Sequence, residues 1–273
     1  LENGLAVSEA KKDRRGLVSV WSGFGWLNQR MGNLDSALQA WQQALAHAEL
    51  SGFYQDQFTT INGLATIHGL LGQNRQTCEL LHQALEKAAL IGKPWEAVVM
   101  INLGVSLMYL GEFEEAMEWC NRSLDLRKSI NQLAGVGNCL NSIGRLLCFT
   151  GDLQAASANF AQARSLAEQY NAQQLLSYII SNQGDVAAVA GAFEDAEFLY
   201  RKSIQLKEPL QDALGLVHTW SRLSELYRQK RLFEEAAKSA ELAVEHSEKL
   251  GLNEQLMAKT SLVLCNLHIH GPE

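Results

Sequence analysis

Apolar and polar positions along this chain recur with a helical period and, above it, with a longer one. Large apolar residues stand at Trp21 and Phe24, Ile61 and Leu64, Ile101 and Leu103, Leu140 and Ile143, and Trp220 and Leu223. Beside them stand small ones, Gly25, Ala65, Gly104, Gly144, Gly184 and Ser224. Offsets of three, four and seven place such residues on one face of an amphipathic helix. Seven residues after the small column comes a turn signal, filled by Gly32, Gly72, Gly111, Gly151, Gly191 and Arg231, so the steps are 40, 39, 40, 40 and 40 residues. A constant period of this size marks stacked supersecondary units.

Each turn opens a second helix. Two residues past the turn column stand Leu34, Asn74, Phe113, Leu153, Phe193 and Phe233, and nine past it Trp41, Leu81, Cys120, Phe160, Tyr200 and Ala240. Small residues fill the fifth place (Ala37, Thr77, Ala116, Ala156, Ala196, Ala236) and the twelfth (Ala44, Ala84, Ser123, Ala163, Ser203, Ala243). These are the spacings at which two helices nearly touch. A glycine in mid-helix costs roughly 1 kcal/mol relative to alanine, so four of them in one register imply a neighbour pressed close. Asp35, Glu114, Glu115, Glu194, Asp195, Glu234 and Glu235 lie in the second helix's first turn, where they meet the positive end of the helix dipole. Twenty residues past the turn a second stop holds Gly52, Gly92, Asn131, Asn171, Gln211 and Gly251. Gly and Asn suit the left-handed residue that closes a helix.

The pattern predicts an all-α solenoid of antiparallel helix pairs running through 1–273 as one domain. Residues 1–11 read as the end of a preceding second helix. Repeats follow at 12–52, 53–92, 93–131, 132–171, 172–211 and 212–251, and 252–273 reads as a terminal first helix with Gly271 in the turn column. Six full repeats with partial ones at both ends, and an opening on Leu1 without an initiator Met or secretory segment, read as an excised piece.

The order of columns resembles the tetratricopeptide repeat: the bulky residue, the apolar-small pair, the turn glycine, the aromatic after it and the two alanines. The resemblance covers nearly the whole chain, with a period of about forty in place of the common 34 residues. This longer version is similar to arrays in kinesin light chains, Pins-type spindle-orientation adaptors and bacterial regulators like the maltose activator. It implies a right-handed superhelix whose first helices line the concave surface. The solvent-facing stripe of those helices begins with Ser19, Ser22, Trp26 and Thr59. The candidate peptide-binding residues on it are Asn62, Asn102, Tyr109, Asn138, Asn141, Arg145, Tyr178, Asn182, Asp185, His218 and Arg222. Asparagine both donates and accepts, which suits it to the backbone of an extended peptide. Arg145, Arg222 and Arg228 add bidentate recognition of carboxylates. The lysine clamp of similar chaperone adaptors is missing from the stripe, which disfavours a chaperone tail as partner.

Composition narrows the function further. Only three prolines in 273 residues agree with helices, and a net charge of −7 disfavours a grip on nucleic acid. The one dense basic run, Lys11-Lys12-Asp13-Arg14-Arg15, reads as a helix end or turn. Five cysteines without CxxC spacing read as core residues of a reducing, cytoplasmic compartment. No stretch reaches the eighteen apolar residues of a membrane span. No HExxH, GxSxG or phosphate loop occurs, and His268-Ile269-His270 alone is too sparse for a metal site. Gly23-Phe24-Gly25 and Gly135-Val136-Gly137 read as helix packing, and Asn121-Arg122-Ser123 as a packing site, not a glycosylation acceptor. The expectation is a non-catalytic scaffold without cofactor or metal that binds a protein or peptide partner, not nucleic acid or membrane. Self-association through the array ends is possible. The second reading is a sensor segment of a signalling or transcription-regulating protein that binds a small ligand or itself.

Overall fold

Each turn column is a change of chain direction, and each helix is short enough that its apolar face must be covered by the next. The computed structural model describes residues 1–248, 250 and 252–270, with the side chains of Glu2, 252–254, 256 and 266–270 left aside. Among these residues the secondary structure is helical throughout, and the chain packs as two compact units, Leu1–Gln132 and Leu133–Glu273.

The first unit holds α1 (Glu2–Lys11), α2 (Arg14–Arg30), α3 (Leu34–Ser51), α4 (Tyr54–Leu70), α5 (Asn74–Ile91), α6 (Lys93–Leu110) and α7 (Phe113–Ser129). The second holds α8 (Leu133–Thr150), α9 (Leu153–Gln169), α10 (Gln173–Val189), α11 (Phe193–Lys207), α12 (Ala213–Gln229), α13 (Phe233–Ser247) and α14 (Leu252–His270). Within each unit consecutive helices pack pairwise across short turns, and first helices of neighbouring repeats also touch, α2 with α4 in the first unit and α8 with α10 and α10 with α12 in the second. Gly251 and Gly271 lie outside the described residues.

All six residues of the second position after the turn begin their helix B, from Leu34 to Phe233. The turn itself is left-handed at every member, including Arg231 with φ 58°, and the second stop is left-handed at Asn131, Asn171 and even Gln211 with φ 53°. Lys12, φ 52°, fills the same place before the first repeat. The bend is held by backbone closure: the Gly111 and Glu112 N–H groups donate to Met108 and Leu107 carbonyls, and the Arg231 and Leu232 N–H groups donate to Arg228 and Tyr227. Those bonds satisfy carbonyls that a helix end leaves open, which offsets the strain of a side chain in this conformation.

The basic run is a joint. Asp13 caps α2, accepting from the Gly16 N–H, Arg14 donates to the Leu50 carbonyl, and Arg15 pairs with Asp56 at 3.2 Å. The helix B columns form the core: every residue at the ninth and twelfth places is buried, from Trp41 and Ala44 to Ala240 and Ala243. Ser123 is fully buried and donates to the Ala97 carbonyl, so its hydroxyl belongs to packing.

The mid-helix glycines meet the ninth column. A Cβ on Gly144 would stand 2.6 Å from the Phe160 ring, one on Gly184 2.7 Å from Tyr200, and one on Gly25 2.6 Å from Trp41. Gly144→Ala therefore sets a gain of about 1 kcal/mol in helix propensity against an overpacking cost of about 1–3 kcal/mol. Phe160 is fully buried and has nowhere to turn. The expected result is a lower melting temperature by circular dichroism, restored in part by adding Phe160→Leu. A rise on Gly144→Ala alone would show that the helices can part at no cost.

Candidate functional site

Along the first helices of the second unit, polar residues at matching heights reach each other across three helices, with Ser181 and Asn182 buried among them. Asn182 Nδ2 on α10 donates to Asn141 Oδ1 on α8 at 2.9 Å. From α12, Arg222 donates to Ser181 Oγ at 2.8 Å and Asn182 Oδ1 at 3.4 Å, and pairs with Asp185 at 3.1 Å. The other Asp185 oxygen accepts from the Tyr200 hydroxyl at 2.8 Å. Asparagine can stand in such a chain because it gives and takes at once.

The Asp185–Arg222 pair is the shared wall of two recesses. One of about 190 Å³ is lined by Arg145, Cys148, Phe149, Phe160 and Asn182 besides that pair. The other, of about 350 Å³, adds His218, Ser221, Glu225 and the apolar Val189, Leu226 and Met257. Ser221 Oγ is buried there without a hydrogen-bond partner. Apolar walls with a few fixed polar groups are what a side chain of a bound segment requires.

Burial raises the Asp185 carboxyl above its ordinary value, against the pull of Arg222, the Tyr200 hydroxyl, Arg145 and Lys207. It also raises the Tyr200 phenol, with Asp185 adding to the effect, and pushes the Cys148 thiol up to about 11, so that thiol is not a nucleophile near neutrality. His218 is exposed on α12 but stands on the wall of the larger recess, where the surrounding protein desolvates it. That surrounding, together with the cations of Arg222, Lys207 and Arg145, lowers it to about 4, so it stays neutral near pH 7.

Of the residues expected on the stripe, the network thus gathers Asn141, Asn182, Asp185 and Arg222, with Arg145 and His218 on its recesses. Tyr178 lies below, its ring centroid 4.7 Å from Lys207 Nζ. Asn138 is exposed on α8 and lines neither recess. Asn62, Asn102 and Tyr109 belong to the first unit. Asn62 is half-buried on α4 with its Oδ1 enclosed and unpartnered, Asn102 is half-buried on α6, and Tyr109 is 57% exposed at the end of α6.

Two participants are not on the stripe. Tyr200 sits in the ninth column of helix B, read as packing, and its ring does pack while its hydroxyl reaches Asp185. Lys207 sits sixteen residues past the turn, where the other repeats carry Ala48, Ala88, Arg127, Ala167 and Ser247, all buried. It is 1% exposed and donates to Ser203 Oγ and Thr219 Oγ1, both at 2.8 Å. Because the same column also holds Arg127, a lysine there carried no distinct signal of its own. No helix among the described residues is long and apolar enough to cross a membrane, and no group of three or more potential metal ligands occurs among them. The side chains of His268 and His270 lie outside the described set.

The family model of the tetratricopeptide repeat matches residues 56–129 and 95–169. The fold is that of a tetratricopeptide-type helical repeat array, and the family match itself spans residues 56–169. Solved structures similar to this array include the Rap conjugation gene regulator of the plasmid pLS20 in complex with the Phr* peptide, with TM-score 0.72, 16% identity, and coverage of 94% of this chain and 80% of that one. NprR in complex with its cognate peptide NprX gives TM-score 0.69 and 16% identity over 90% of this chain and 69% of that one. The APC/C hetero-tetramer Cut9-Hcn1 gives 0.66 and 16% over 97% of this chain, which spans only 46% of that one. At such identities the likeness shows the fold. A search of curated proteins finds no match to the sequence.

Proposed function

We propose that the array is a non-catalytic interaction scaffold and that the first-helix face of its second unit holds an extended segment of a protein or peptide partner. The observation that carries this reading is the chain Asn141–Asn182–Arg222–Asp185–Tyr200, which fixes polar groups of the first helices of three successive repeats between two recesses. Groups already locked by their neighbours lose little freedom when a ligand arrives. Asn141, half-buried on α8, offers its amide to a peptide backbone while the buried Asn182 orients it, and the recesses on either side of Asp185–Arg222 receive side chains. Arg145 supplies a cation on the wall of the smaller recess.

The test uses peptides selected from a random display library on the whole chain, with affinity measured by calorimetry. Arg145→Glu combined with Arg222→Gln is expected to weaken a selected peptide at least about tenfold, or 1.4 kcal/mol, with helicity unchanged. If affinity survives the double change while the protein stays folded, the peptide sits elsewhere and the assignment of this face is wrong.

A second reading is a sensor segment of a larger regulator that answers to a small ligand or to another copy. It is favoured by the likeness to NprR and to the Rap gene regulator, both solved with a peptide bound. On that reading a selected peptide alters the self-association of the chain in sedimentation; on the scaffold reading it does not.

A further inference from the structure

The first unit carries a recess that differs in chemistry from those of the second. It lies between α2 and α4, has a volume of about 590 Å³, and is walled by Ser19, Ser22, Trp26 and Thr59, with Arg15 and Asp56 at one side. We infer that this recess binds a neutral aromatic ring bearing an O–H or N–H donor, such as the phenol of a tyrosine, independently of the face proposed above.

Three observations lead there. Trp26 is 48% exposed, yet its ring is held edge-on against the fully buried Trp41, with centroids 5.6 Å apart at 77°. An indole pinned from behind and open in front is a preformed stacking surface for an aromatic ring. The charges are already spent. Arg15 pairs with Asp56 at 3.2 Å and lies over the Phe53 ring at 4.1 Å, so the recess has no unbalanced charge to attract an ion. Finally, Ser22 is 8% exposed and its Oγ is buried without any hydrogen-bond partner. Thr59 across the recess donates its own proton to the Gln55 carbonyl at 2.8 Å, which leaves only lone pairs for a visitor.

The recess thus offers hydroxyl acceptors beside an aromatic wall and asks for a donor. A phenyl or aliphatic group leaves Ser22 Oγ as unpaired as it is in the empty recess, whereas a phenol or indole N–H supplies the missing partner. The hydroxyl of Ser22 is in this way the discriminating group and Trp26 the platform.

The experiment follows backbone amide shifts of the whole chain by NMR during titration with N-acetyl-L-tyrosinamide, N-acetyl-L-phenylalaninamide and N-acetyl-L-leucinamide. Shifts at Ser19 to Trp26 and at Thr59 are expected to saturate with tyrosinamide about fivefold more tightly than with phenylalaninamide, and leucinamide is weakest. Ser22→Ala should bring the two aromatic probes within about twofold of each other, and Trp26→Ala should abolish the shifts with the melting temperature retained. Absence of shifts at these amides up to about 20 mM, equal binding of the two aromatic probes by the unaltered chain, or leucinamide binding as tightly, each overturns the inference. Binding on the second unit is untouched by any of these outcomes.

Discussion

Replacing Lys207 with methionine is expected to stabilise the protein at pH 7 and to remove a rise in stability that the unaltered chain shows on going to pH 8.5. Lys207 is enclosed between α10, α11 and α12 without a carboxylate in ion-pair contact among the described residues. Both hydroxyls that receive its N–H groups have their own protons committed, Ser203 to the Ser177 carbonyl and Thr219 to the Gly215 carbonyl. Burial, with Arg222 adding to it against Asp212 and Asp185, lowers the amine from 10.5 to about 7. Between those two values the unfolded chain holds a proton that the folded chain has released, so stability rises with pH across this window and the penalty is greatest below it. The slope is about 1.4 kcal/mol per pH unit, or about 2 kcal/mol from pH 7 to 8.5. Above pH 9 the trend reverses, because the buried Cys78 and half-buried Cys148 thiols and the Tyr178 and Tyr200 phenols keep protons that the unfolded chain gives up. Methionine fills the space of the lysine stem and ends the charge penalty, while forfeiting two hydrogen bonds of about 1 kcal/mol each and the contact with the Tyr178 ring. A net gain of about 1–3 kcal/mol at pH 7 is expected, read from urea denaturation at the two pH values. An unchanged slope in Lys207→Met would show that another group titrates there.

The second large effect is at Trp41, which is fully buried between glycines of two successive first helices. A Cβ on Gly25 or on Gly63 would each come within 2.6 Å of its ring. Trp41→Ala empties that slot and should cost about 3–5 kcal/mol. Trp41→Phe is expected to cost far less than its lost volume suggests, since the indole Nε1 is buried without a partner and its removal returns about 1–3 kcal/mol. The pair of variants separates packing from polarity: if Phe is as damaging as Ala, the N–H has a partner in solution, a bound water being the simplest.

Much of this fold was legible because its rules are local. The turn column located the first residue of every helix B, and the small column announced contacts that Gly144 and Phe160, or Gly184 and Tyr200, then make. The period puts the polar residues on one side of each first helix, yet Ser22, Ser181 and Asn182, read as solvent-facing, are buried by their neighbours. What the sequence withheld is which neighbours join. Asn141 and Asn182 meet because α8 and α10 lie side by side at the right height, a distance that spacing along the chain does not encode. Lys207 was illegible for a different reason. A lysine in the last turn of a helix reads as a solvated partner of the helix dipole, and only the packing of α12 over it makes it a buried cation. Tyr200 shows the same limit, since one residue serves packing with its ring and the polar network with its hydroxyl.

The left-handed joints have one more consequence. At Gly52, Gly111, Gly151 and Gly191 nothing lies within 4 Å of an added Cβ, and at Asn171, Gln211 and Arg231 a full side chain is carried in the same bend. The bend is closed by the carbonyls of the helix just finished and owes nothing to the next pair. Chain length and sequence at these seams are therefore decoupled from the interiors they connect, which makes them the natural places to splice in a foreign loop, a reporter or a new pair of termini.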